Sequence, residues 1–161
     1  MPIRSMVLTI ALMAIAGPAT SLSCMRPDVA RTYGYAAEAK ETYIVVHGIL
    51  KFNDQKLPQD HYNNNPQNLK IKARLSGKSL SQSGYKSDFD RTITLELNCL
   101  GPWCGNATSG VPYLAFLRKE GSAYALAVDP CGGMGFAQPS PKMLRRVHQC
   151  MKGGPCTAQT R

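Results

Sequence analysis

The sequence predicts a mainly β domain in which five strands close into a small Greek-key barrel with one or two flanking α-helices. Three observations point there. Short runs rich in β-branched and aromatic residues recur between clusters of glycine, serine and proline. The strongest run carries a glycine inside it, as a strand that bends to serve two sheets requires. Helix-forming or helically spaced residues are confined to two segments, one before the strands and one after them.

Residues 1–23 precede that domain and read as an export signal. Arg4 supplies the positive start, Met6 to Ala16 the apolar run, and Gly17-Pro18 break it. The run is about half of the ~20 residues that span a bilayer, so no transmembrane span is expected. Cleavage after Ser23 places Ser21 and Ser23 where the peptidase inspects, and cleavage after Ser21 fits almost as well. Lipid attachment at Cys24 is the less expected route, because such sites usually carry Leu where Ser21 stands. Release into the periplasm or the medium is the expectation, and residues 24–161 are then one domain with a single core.

Residues 28–40 hold Ala30, Ala36, Ala37, Glu38 and Ala39, with Asp28 placed to cap a short helix. Residues 42–52 form the clearest strand, apolar on both faces over much of its length and interrupted by Gly48. Residues 53–68 are polar, with Pro58, Pro66 and three consecutive asparagines, and read as a surface loop. From 69 to 75, Leu69, Ile71, Ala73 and Leu75 alternate with Lys70, Lys72 and Arg74, a half-buried strand with a basic outer face. Residues 76–87 read as a Gly/Ser turn region, and 92–97 as a third strand ending near Cys99. A tight glycine-rich stretch follows around Trp103 and Cys104-Gly105, and Asn106-Ala107-Thr108 has the form of a glycosylation acceptor. Residues 112–119 and 123–128 make a hairpin about Gly121. Ser140-Pro141 open the last helix, whose apolar face is Met143, Leu144, Val147, Cys150 and Met151 before Gly153-Gly154 stop it. Five strands in this setting fit a Greek-key barrel of the OB type.

Of the net charge of +9 only Arg4 falls in the expected leader, and the remaining +8 favours anionic partners: envelope polymers, acidic glycans, phospholipid head groups or acidic protein surfaces. Nucleic acid is not expected for an exported chain. OB barrels bind ligands across their second and third strands, which nominates Lys70, Lys72 and Arg74, with Lys78 nearby, as an anion-binding face. All six cysteines follow the leader, and an even count in an oxidising compartment reads as disulfides, with fifteen connectivities open. Neither their spacing nor a histidine pair suits a metal site. His47, His61 and His148 fall on a strand, in the long loop and on the last helix, and nothing pairs them with a nucleophile by motif. Gly132-Gly133-Met134-Gly135 lacks the spacing of a phosphate cradle. No enzyme activity and no cofactor are expected.

In four features, taken in order, the chain resembles the netrin-like domain shared with the tissue inhibitors of metalloproteinases. They are the leader ending at Cys24, the strand Tyr43-Ile44-Val45-Val46-His47-Gly48, the pair Cys104-Gly105, and the run from Tyr113-Leu114-Ala115-Phe116 through Gly121 to Cys131. The resemblance implies an OB barrel and a Cys24–Cys104 bridge. In the inhibitors a second cysteine, two residues after the first, is bridged to the cysteine ending the fifth strand. Arg26 stands at that place, so the implied remainder is Cys99–Cys131 and Cys150–Cys156. The resemblance further implies a partner, a zinc metalloprotease, whose metal would take the amine and carbonyl of Cys24. Met25 would then fill its specificity pocket, flanked by Arg26 and Pro27. Three functions follow as expectations: such a binding or inhibitory module, an anionic-polymer binder, or a structural domain of the envelope.

Overall fold

In the computed structural model, which describes residues 22–57 and 67–159, the chain is mainly β: a six-stranded sheet with two helices. Residues 1–21, where most of the expected leader falls, and Pro58, Pro66, His61 and the asparagine run lie outside the described residues. Helix α1 (Val29–Glu38) begins at Asp28, whose carboxylate accepts the Ala30 and Arg31 amides. Strands β1 (Tyr43–Lys51), β2 (Leu69–Ser81) and β3 (Gly84–Leu97) follow. Two-residue strands β4 (Cys99–Leu100) and β5 (Trp103–Cys104) form a separate two-stranded sheet with each other. Then come β6 (Val111–Glu120), β7 (Ala123–Val128), β8 (Gly135–Ala137) and helix α2 (Pro141–Met151), capped by Ser140.

Pairing runs from β1 through β2, β3, β7 and β6 and returns to β1, because β1 pairs with β2 along one edge and with β6 along the other. All these ladders are antiparallel except β3–β7. Successive residues of β1 are therefore buried on opposite sides. Val46 and Leu50 enter one core cluster with Leu75, Leu95 and Leu126, while Val45 joins a second with Val29, Phe116 and Val147 beneath the helices. The same split sends Ala115 and Leu117 one way and Leu114 and Phe116 the other. This double burial explains why both strands are apolar on both faces.

Gly48 faces Gly77 across the β1–β2 ladder. A Cβ on Gly48 would lie 2.4 Å from the Ser76 carbonyl oxygen, and one on Gly77 only 2.1 Å from that of His47. The two backbones meet where neither can carry a side chain.

Residues 76–87 are not the turn region expected. β2 and β3 continue through them as long hairpin arms, and only Gln82-Ser83 turn. The arms look polar because little of them is buried beyond Leu80 and Phe89. Cross-strand pairs such as Arg74–Asp90 and Lys78–Asp88 hold them instead.

Two of the three expected disulfides are also corrected. Cys24 bonds Cys131, not Cys104, and Cys99 bonds Cys104, not Cys131. Cys99 and Cys104 are direct partners on the β4–β5 ladder with Cα atoms 3.9 Å apart, so each satisfies the other locally. That leaves Cys131, just beyond β7, for the N-terminal segment. The third bond, Cys150–Cys156, ties the end of α2 to the tail. Cys24 thus takes the connection that the resemblance gives to the second cysteine of the inhibitors.

Candidate functional site

Asp28 anchors the segment from which the site is built. Its Oδ1 accepts the amides of Ala30 (2.9 Å) and Arg31 (3.0 Å), and its Oδ2 accepts that of Gln159 (3.1 Å). Burial alone would raise this carboxyl, but the backbone donors outweigh it and hold the group below its ordinary range. Just upstream, the Arg26 carbonyl accepts Arg31 Nη1 at 3.1 Å, and Cys24 is bonded to Cys131 with Cα atoms 5.3 Å apart. Residues 24–28 are thus held at both ends.

The opposite wall is the loop between β7 and β8. Asp129 Oδ1 accepts the Cys131 amide at 2.8 Å, and the Gly132 amide donates to the Asp129 carbonyl at 2.9 Å. The chain turns back through left-handed conformations at Gly132 (φ +106°) and Gly133 (φ +62°). A Cβ on Gly133 would sit 2.8 Å from the Ala127 carbonyl oxygen, so this loop is glycine-rich for packing. Between the two walls lies a cavity of about 740 Å³.

All four residues expected at a docking edge, Cys24, Met25, Arg26 and Pro27, line this cavity and are exposed. Met25 is 66% exposed and Tyr35, on α1, 56%. The sequence reading missed Tyr35, Met134, Phe136, Ala137 and Met143, which belong to the apolar lining. The Gly132-Gly133 pair was the available signal, since it marks a backbone that must fold tightly. Asp28 and Asp129 already accept backbone amides, whereas Arg26 and Arg31 bring cationic groups to the lining. Among the described residues, no histidine lines the cavity. Its chemistry is that of apolar contact with a cationic border.

The basic face of β2 is differently arranged. Lys70 pairs with Glu96 (2.7 Å), Lys78 with Asp88 (2.6 Å), and Arg74 with Asp90, each across the β2–β3 ladder. Of the four, Lys72 alone has no carboxylate partner among the described residues and meets the Thr94 hydroxyl at 3.5 Å. Glu96 is 6% exposed and also accepts Arg118 Nη2 at 3.0 Å. Burial would raise its carboxyl, but hydrogen bonds from Lys70 and Arg118 prevail and lower it. The face is a ladder of matched charges.

His47 packs edge-on against Tyr85 with ring centroids 5.9 Å apart, and His148 Nε2 meets the Gln82 carbonyl at 2.9 Å. Among the described residues, no group of three His, Cys, Asp or Glu side chains could hold a metal ion. Among them, no helix is long and apolar enough to cross a membrane. No protein-family model, curated protein or solved structure matches the chain.

Proposed function

We propose that the chain is an exported, non-catalytic protein-binding module of the netrin-like class, built on an OB-type Greek-key barrel. The pairing order supports the barrel: five strands in a circuit that returns to β1, with one parallel contact, β3–β7. Export is supported by the leader and by three disulfides, which persist in oxidising compartments. A lipid on Cys24 would require the sulfur that Cys131 holds.

The observation that carries the functional reading is Met25, 66% exposed and adjacent to a cysteine bonded to the fold. A flexible apolar side chain on an anchored backbone suits docking, because the backbone has less freedom to lose on binding. In its narrower form the reading makes the chain an inhibitor. Processing after Ser23 would free the amine of Cys24, and an α-amine, which loses its proton close to neutrality, is a good zinc ligand. Protein starting at Cys24 would then inhibit a zinc metalloprotease, and one added N-terminal residue would abolish inhibition. If neither form inhibits any member of a protease panel, the narrower form fails. The broader one is tested by Met25→Asp, which should abolish retention of whichever secreted protein the native chain retains; unchanged retention refutes it.

The anionic-polymer reading is the less favoured, since three of its four cations already have carboxylate partners. Binding of heparin that falls steeply with salt, and falls further in Lys72→Ala, would reverse that ranking.

A further inference from the structure

We infer that the free edge of β8 is a strand-addition site for an extended apolar peptide of a partner protein, one carrying an acidic residue beside its apolar positions. The inference rests on the protein-binding reading and names the geometry of its partner. β8 stands at the end of the sheet order and, among the described residues, pairs only with β6. The Phe116 amide donates to the Met134 carbonyl (2.9 Å) and the Gln138 amide to that of Pro112 (2.7 Å). Antiparallel alternation therefore aims the N–H and C=O groups of Gly135 and Ala137 away from β6. Among the described residues, none of those groups has a partner. Ala137 is exposed and Gly135 half-buried, and both line the cavity beside the N-terminal segment. Unpaired edges of this kind template another strand unless something covers them.

The cavity supplies what a bare edge lacks. Three of the seven methionines, Met25, Met134 and Met143, line it together with Tyr35. Such side chains adapt to apolar groups of varied shape. Arg26 and Arg31 stand beside them, while the lining carboxylates of Asp28 and Asp129 already accept backbone amides. The occupant favoured by these charges has a carboxylate near its apolar side chains. Beyond β8, Gln138 takes a left-handed conformation (φ +49°) and turns the chain away, which limits the added pairing to a few residues.

The probe is a short synthetic peptide alternating valine with threonine and ending in aspartate. Amide exchange of Ala137, followed by NMR on the mature protein, should slow on adding it. Ala137→Pro removes the outward donor and leaves the β6 ladder intact; it should weaken peptide binding by about tenfold or more. Arg31→Glu, which leaves the edge intact, should weaken it in a salt-dependent way. Three results overturn the inference: no binding at millimolar peptide, equal binding of a peptide with a central proline, or Ala137 exchange unchanged by bound peptide. Protection of Ala137 that grows with protein concentration alone assigns the edge to a second copy and also overturns it. A natural partner still retained by Ala137→Pro, but lost with Met25→Asp, would leave the broader reading standing.

Discussion

Gly105 shows how a single missing side chain sets a local structure. A Cβ there would lie 2.2 Å from the Val128 carbonyl oxygen, while the Gly105 amide donates to Asn98 and the Asn98 amide donates to Val128, each at 2.8 Å. The Cys104-Gly105 pair is thus required in both halves, sulfur for Cys99 and bare backbone for β7. Gly105→Ala should lower unfolding free energy by about 2–3 kcal/mol, read from the urea midpoint at unchanged slope. His47 gives a second test. Burial lowers the pKa of its imidazole, so the folded state favours the neutral ring. Its contribution is present above the unfolded value near 6.5 and lost as pH falls through the window below it. Urea unfolding between pH 8 and 5.5 should show this slope, and His47→Gln should flatten it. Asp28 and Glu96 lose their contributions only at lower pH, because their folded values lie below those of ordinary carboxyls.

At the scale of elements, the β2–β3 ladder depends on one buried carboxylate more than on its exposed pairs. Glu96 on β3 is tied to Lys70 on the neighbouring β2 and, past β7, to Arg118 on β6, whereas Lys78–Asp88 stands largely in water. Glu96→Gln should cost about 2–3 kcal/mol, and Asp88→Asn less than about 1 kcal/mol, in thermal or urea unfolding. Elements with local signals could be read from the residues directly. Asp28 and Ser140 cap the helices where expected, and the hairpin about Gly121 joins β6 to β7. Elements supported from elsewhere in the fold were not legible. β8 has three residues and no pattern of its own; it exists because β7 leaves the edge of β6 to pair with β3. The outer arms of β2 and β3 bury too few side chains for alternation to show. Of the site, the N-terminal wall was legible in Cys24 to Pro27, but the facing wall depends on the path of the glycine loop.

Across the whole molecule, the Cys24–Cys131 bond spans a sequence separation of 107 residues, against 5 and 6 for the other two. By loop-closure entropy it is worth about 4–5 kcal/mol and each of the others roughly 2. The paired change Cys24→Ser with Cys131→Ser should therefore lower stability by about 3–5 kcal/mol, and amide exchange should quicken first around Met25. Which cysteines pair was not decidable from spacing, because it depends on which loops finish side by side. One further contact has a practical consequence. The Asp28 carboxylate holds the Gln159 amide, so these two residues, 131 positions apart in sequence, meet on one flank of the protein. In a chain trimmed to residues 24–159, a short linker could join the two cut ends and new termini could be opened at the Gly121 turn, giving a circular permutant. A dye placed on that linker would report directly on whatever arrives beside Met25.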